Sequence, residues 1–246
     1  MTRSSAAGQP VGNPISPEQL TGLFDRIAPI YDAMNTVMTV GLDARWRRAA
    51  IAAAGLAPGM RVLDVACGTG ILTRAAGTAV GASGEVLGID LSQRMLARAV
   101  RLSRRRGSVA VRYLRADAMA LPLADASFGA VTIGFGLRNL PDYAGGLAEM
   151  SRVLAPGGRL VVLEIAAPTG GLALLLYRGW FQRIVPLLGR VLRRGPAYHY
   201  LPDSLRRYPA PERIADLLRQ AGLEQVSWRR LPSGMATLHV GIRQAT

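Results

Sequence analysis

The chain of 246 residues is half hydrophobic and carries a formal net charge of +14, long enough for one sizeable α/β domain and apolar enough for a core. No apolar run reaches the roughly 18 to 20 residues of a membrane-spanning helix. A single cysteine, Cys67, excludes an internal disulfide and a multi-cysteine metal site, so a reducing, cytoplasmic setting and no bound metal are expected. Every Lys-or-Arg position is Arg, a pattern that GC-rich coding produces unaided, and no nucleic-acid partner is expected from charge alone.

The opening MTRSSAAGQPVGNPISP lacks the apolar segment of a secretory signal, and its Ser, Gly and Pro predict a flexible tail over 1–16. One domain is expected over 17–246. Leu20, Leu23, Phe24 and Ile27 recur at helical spacing between Pro17 and Asn35, and Asp43 opens a second helix to Ala54, so 17–55 reads as a helical N-terminal segment.

Strands and helices then alternate. MRVLDVA is a strand, Ile71 to Ala79 a helix and GEVLGID a second strand; Ser92 caps the helix QRMLARAVRLSRR, and VAVRYLRAD and FGAVTIGF are the third and fourth strands. Asp142 to Leu154 is helical, PGG turns, and RLVVLEI is a fifth strand. Continuous apolar strands joined by helical crossovers predict a mostly parallel sheet covered on both faces, with ligands at the carboxyl ends of its strands.

A helical insertion is expected over 170–210. Its stretch from Leu172 to Leu192 has two readings: Leu side chains with Trp180 and Phe181 line a pocket for a greasy tail while Arg residues meet anionic headgroups, or the segment is a core-facing helix pair with an Arg-rich outer face. A helix from Pro211 to Ala221 and the strands LEQVSWRRL and MATLHVGIR close the chain.

In VLDVACGTGILT, Asp64 ends a strand, Gly68 and Gly70 lie in the following turn, and Thr73 starts a helix. Such glycines let a backbone approach a ligand, and a helix start offers unpaired N–H groups. Asp90 closes the second strand, where a carboxylate can accept both hydroxyls of a ribose. A nicotinamide site shares this frame. Here, however, Thr73 replaces the third glycine, and Asp64 can hold the cationic amino group of an amino-acid tail. Asp117 follows the third strand, where a polar group beside a backbone N–H can read an adenine edge. Three carboxylates at successive strand ends point to S-adenosylmethionine; taken singly, each could simply cap a helix or close a turn.

The whole pattern resembles class I S-adenosylmethionine methyltransferases, and more narrowly the quinone-biosynthesis C-methyltransferases that act on demethylmenaquinol and the ubiquinone precursor. The resemblance runs from about Phe24 to Arg243 and includes FDRIAPIYDAMNTVMTVGLDARWRR, TIGFGLRNLPD, RVLAPGGRLVVLEIAAP, YHYLPDSLRRYP and GMATLHVGIR. It implies a Rossmann-like, seven-stranded, mostly parallel sheet with helices on both faces. It also implies cofactor contacts at Thr73, Asp90, Asp117 with Ala118, and Gly134. Three departures stand out: Gly134 where Ser is frequent, Gly129 where Asp commonly follows Phe128, and Cys67 where Gly is usual. They motivate the alternative of a same-fold enzyme acting on another phenolic or polyketide-like molecule.

For a quinol ring, the neighbouring hydroxyl must lose a proton whose pKa is about 10. Arg138 is placed to stabilise the phenolate, Asn139 to position the second ring oxygen, and Tyr31 to orient the hydroxyl or relay its proton. Each has a structural rival. Arg138 could tie its loop to Asp32 or Asp142, Tyr31 could be a packed aromatic, and Glu164 could bind loop amides. His199 reads as a surface residue, and His239 as support for the last strands. The expected partners are a prenylated quinol or another phenol, with peripheral contact to an anionic membrane as one reading of the insertion. The oligomeric state is left open, a homodimer included.

Overall fold

The alternating pattern builds a single sheet. The computed structural model describes residues 12–105, 111–168, 170–171, 179 and 204–245. Its strands are β1 (Arg61–Val65), β2 (Glu85–Asp90), β3 (Val111–Arg115), β4 (Phe128–Gly134), β5 (Leu154–Ile165), β6 (Leu223–Arg230) and β7 (Ala236–Arg243), in spatial order β3-β2-β1-β4-β5-β7-β6. The pairs among β1 to β5 are parallel, and β7 runs antiparallel to both β5 and β6. The sheet and its helices match the expected Rossmann-like architecture.

The central strands are apolar on both faces because both are covered. Val131, Ile133, Leu160 and Val162 pack toward α6 (Tyr143–Val153) and α7 (Pro211–Gln220) through Leu147, Met150, Ile214 and Leu218. On the other face, α3 (Leu42–Ala53) and α4 (Ile71–Val80) bury Trp46, Ala50, Leu72 and Ala76 against Val161, Leu163, Val62 and Ala130. Strand alternation sends neighbouring residues to opposite layers. Helix α5 (Gln93–Arg105) is opened by Ser92, whose hydroxyl accepts from the Met95 amide at 3.1 Å as expected.

Three boundaries differ from the sequence expectation. The first helical segment splits into α1 (Pro17–Ile27) and α2 (Tyr31–Met38), because Pro29 has no amide to continue the ladder. The last part of the expected tail is anchored: the Asn13 amide donates to the Leu140 carbonyl at 2.8 Å, and the Ser16 hydroxyl caps α1 by accepting from Gln19. Finally, β5 begins at Leu154. Leu154 pairs with Phe128 and Arg159 with Ala130, so the PGG turn is looped out within the strand, with Gly157 at φ +75°. Leu172 to Leu192 apart from Gly179, together with His199 and most of the expected insertion over 170–210, lie outside the described residues.

His239 is buried in β7, stacks on Trp228 and pairs through Nε2 with the Pro211 carbonyl at 3.0 Å, which is the support expected of it. Burial pushes its imidazole down to about 4, so it is neutral at physiological pH.

Gly70 and Gly41 separate two costs. Both have φ near +75°, but a Cβ at Gly70 would lie 2.2 Å from the Tyr113 hydroxyl oxygen, whereas nothing lies within 4 Å of one at Gly41. Gly41→Ala should therefore cost about 1–2 kcal/mol from backbone conformation alone. Gly70→Ala should cost ~3 kcal/mol or more, because overpacking adds to it. Equilibrium urea unfolding of the two variants measures the difference.

Candidate active site

Strand ends in a parallel sheet leave backbone groups and short turns facing one side, and here they enclose two adjoining cavities. The first, about 810 Å³ including its mouth, opens over the carboxyl ends of β1, β2 and β4 and is roofed by Pro17, Leu20, Thr21 and Phe24 of α1. Its volume suits a small molecule. Along the order β3-β2-β1-β4, its floor passes from Asp117 and Ala118 through Asp90 and Gly68 to Gly134 and Phe135. Five residues expected at the cofactor (Gly68, Asp90, Asp117, Ala118 and Gly134) thus share one wall.

Asp90 organises the turn. Its two carboxylate oxygens accept one amide each, from Gly68 and from Ser92, both at 2.8 Å. Burial pushes its carboxyl above the usual range even though these amides pull it down. Gly68 sits at φ +55°, and a Cβ there would point toward the Tyr31 ring at 3.8 Å, into the cavity. The Asp117 side chain accepts from the Met119 amide at 2.9 Å. Carboxylate oxygens with lone pairs to spare at Asp90 and Asp117, beside the apolar Ile89, Met95 and Ala118, form a set of acceptors that fits the hydroxyl and amine donors of an adenosine.

Asp64, Gly70 and Thr73 do not line this cavity. Asp64 lies beneath the turn, where its carboxylate accepts from the Thr73 hydroxyl at 2.6 Å and the Thr132 hydroxyl at 2.8 Å. Gly70 serves close packing on Tyr113. Cys67 is also buried, and burial pushes its thiol up, which leaves no thiolate at neutral pH. Two of the three departures are packing matters: the Cys67 sulfur fills the space beside Gly88, and Gly129 admits Met60 at the amino end of β4, opposite the cavities.

The second cavity, about 550 Å³, is lined by Leu23, Ile27, Met34 and Met38, with Arg138 and Asp43 among its few polar groups. Phe24, Tyr31 and Phe135 belong to both cavities. Tyr31 packs edge-on to Phe24 with ring centroids 6.0 Å apart, so it is a packed aromatic standing at the junction. Asn139 faces the first cavity, and its amide lies 3.5 Å from the Phe135 carbonyl.

Arg138 is 6% exposed and paired with Glu164, which is fully buried. Its guanidinium also donates to the Phe135 carbonyl at 2.9 Å, while Glu164 accepts from the Arg138 and Ile165 amides. The structural rival for Arg138 thus has a different acidic partner from the two expected. Asp142 instead caps α6 through the Ala144 amide. Asp32 accepts from the Thr69 hydroxyl at 2.5 Å and faces Arg98 at 3.4 Å, pinning α2 to the glycine turn. Asp25 does the same for α1, accepting from Ser92 at 2.5 Å. Asp25 carried no signal in sequence, since it stands beside Arg26 and off the stripe of Leu20, Leu23, Phe24 and Ile27.

A family model described as the ubiE/COQ5 methyltransferase family matches residues 14–243. The chain is 47% identical over 227 residues to the demethylmenaquinone methyltransferase of Thermus thermophilus, covering 90% of this chain and 100% of that one. It is 42% identical over 222 residues to the ubiquinone/menaquinone biosynthesis C-methyltransferase UbiE of Syntrophotalea carbinolica, over 90% of this chain and 92% of that one. Among solved structures, the (4+2)-cyclase SpnF is similar with a TM-score of 0.70 at 20% identity, covering 96% of this chain and 99% of that one. A SAM-dependent methyltransferase from Aquifex aeolicus is similar at 0.59 and 20% identity, covering 80% and 88%. At that identity the likeness concerns the fold.

Burial pushes the Asp64 carboxyl up to about 6, against the pull of its two hydroxyl partners and Arg47. A carboxyl raised in the fold holds its proton more tightly there than in the unfolded chain. Stability from this group therefore falls as pH rises from about 4 through about 6, by on the order of 3 kcal/mol. Asp64→Asn keeps one acceptor and gains a donor, so its stability relative to wild type should rise over that window by a comparable amount. Urea unfolding of both proteins from pH 4 to 8 tests this.

Proposed function

Because this chain belongs to the ubiE/COQ5 methyltransferase family, we propose that it methylates a ring carbon of a prenylated quinol, demethylmenaquinol first, using S-adenosylmethionine. The observation that carries the reading is the pair of cavities joined at Tyr31 and Phe135, one suited to an adenosine and the other mostly apolar. S-adenosylmethionine supplies, when bound, an electrophilic methyl group on sulfur. The residues that hold it are Asp90 at the ribose, Asp117 with Ala118 at the adenine, and Gly68 with Gly134 along the chain that follows. Asp64 and Thr73 act from beneath the glycine turn by bracing it.

With a reactive methyl at hand, the protein's task is alignment, and fixed geometry can supply roughly 7–11 kcal/mol of the barrier. The second cavity presents the ring edge-on to the junction. There Tyr31 orients the ring hydroxyl and passes its proton outward, and Asn139 holds the second ring oxygen. Arg138 acts as a positioning residue. Its charge is matched by Glu164, so its main effect is to keep Phe135 and Asn139 in place. Leaving either partner of such a pair alone costs about 3–5 kcal/mol. Among the described residues no group of His, Cys, Asp and Glu is arranged to hold a metal, and the reading calls for none.

Peripheral contact with an anionic bilayer belongs to the same reading. Val37 and Val40 are 50% and 72% exposed at the corner between α2 and α3, beside the exposed Arg45 and Arg48, and the inner side of α2 lines the second cavity through Met34 and Met38. Among the described residues no helix is long and apolar enough to cross a membrane.

Incubation with S-adenosylmethionine and reduced demethylmenaquinone should give a product heavier by one methyl group in mass spectrometry. Tyr31→Phe should lower turnover by about 100-fold with little change in affinity for S-adenosylhomocysteine. Product from a soluble phenol with none from the quinol would move the assignment to the alternative acceptor class.

In a second experiment, the protein should sediment with anionic vesicles at low salt, and Val37→Asp with Val40→Asp should release it. Absence of binding at low salt would remove the membrane from the reading.

A further inference from the structure

Helix α3 buries a stripe at helical spacing, Asp43, Trp46, Arg47 and Ala50, in which half of the residues are charged. Arg47 is 8% exposed, so its guanidinium has given up most of its water, and a buried cation needs acceptors in return. The other buried arginines have them. Arg74 donates to the Thr69 carbonyl at 2.7 Å, and Arg138 to the Phe135 carbonyl and Glu164. Arg47 is different. Its Nε is enclosed without a partner, as are those of Arg74 and Arg138, but among the described residues no acceptor stands within hydrogen-bond reach of the rest of its guanidinium either: the nearest carboxylate, on Asp43, is 3.6 Å away. That carboxylate already accepts from the Thr39 hydroxyl at 3.2 Å.

The guanidinium rests over the Phe135 ring, with Cζ 4.9 Å from the centroid, a contact that offsets part of the lost hydration but satisfies no N–H. Phe135 forms the β4 end of the first cavity together with Gly134 and Ala66, whereas Asp90 and Asp117 mark the opposite end. Asp64 lies beneath this same end and feels the charge of Arg47. Arg47 lines neither cavity itself but packs on Phe135, at the end away from the acceptors suited to an adenosine, and so brings a cation to where the carboxylate of an amino-acid tail would lie; Asp64, taken up by Thr73 and Thr132, braces the turn below. An acceptor quinol is neutral until its proton leaves, and so cannot serve as the standing counter-anion a buried guanidinium requires.

We propose that Arg47 receives the carboxylate of the amino-acid tail of S-adenosylmethionine; the inference rests on the cofactor reading above. It makes Arg47 a binding residue that discriminates ligands by their tail. Two stable ligands separate the possibilities: S-adenosylhomocysteine, which carries the tail, and 5′-methylthioadenosine, which keeps the nucleoside thioether and lacks the carboxylate.

Titration calorimetry on the full chain should show Arg47→Gln weakening S-adenosylhomocysteine by about 10- to 100-fold, the range for a charge-assisted hydrogen bond, while 5′-methylthioadenosine changes by less than about threefold. Arg47→Lys should recover part of the loss. Equal weakening of both ligands, in Arg47→Gln and Arg47→Lys alike, would make Arg47 a scaffold residue and overturn the inference, as would unchanged binding of both. Wild-type protein that binds neither ligand would overturn the cofactor reading itself, an outcome visible before any variant is made.

Discussion

One buried ion pair holds the wall between the two cavities. Arg138 reaches from the turn after β4 to Glu164 in β5, and the same carboxylate collects the amides of Arg138 and Ile165. In a site that excludes water, such a pair depends on further hydrogen bonds to its remaining donors and acceptors, and here the Phe135 carbonyl accepts one from the guanidinium. Phe135 can then stay at φ +61°, a costly conformation for a residue other than glycine. Beside it, at the end of β1, Ala66 is held at φ +51°, and Gly136 is needed because a Cβ there would lie 2.6 Å from that of Ala66. Two strained strand ends therefore lean on each other, and the ion pair anchors one of them.

The electrostatics of the site run against the overall charge. A chain with a net charge of +14 gathers Asp64, Asp90 and Glu164 in its interior, at the carboxyl ends of a parallel sheet. Amides and hydroxyls supply the hydrogen bonds to the first two. Two further carboxylates, Asp25 and Asp32, bind the N-terminal helices to α5 and the glycine turn. These helices are consequently part of the site, since α1 and α2 contribute to the walls of both cavities.

A fold shared with a cyclase as closely as with methyltransferases says little about chemistry. The family match over nearly the whole chain carries that information, and the second cavity gives it a physical form. The departures at Cys67 and Gly129, which in sequence suggested another acceptor, turn out to be compensated in the packing around Gly88 and Met60.

The sequence by itself determined the parallel sheet, the glycine turn and the carboxylates at successive strand ends, because strand and helix periodicity and turn chemistry are local. It also located the stretch TIGFGLRNLP at the site. It did not reveal that Pro29 divides the first helix in a way that puts Tyr31 at the cavity junction, or that Asn13 to Ser16 are anchored. The partners of the polar side chains were decided only by the tertiary structure. Arg138 meets Glu164 rather than Asp32 or Asp142; Asp64 turns to Thr73 and Thr132; Arg47 is buried with no hydrogen-bond acceptor at Nε. Glu164 and Thr132 come from strands brought alongside by sheet pairing. Which of several equally plausible acids a buried arginine finds depends on the register and depth at which those strands pack, and no local spacing encodes that.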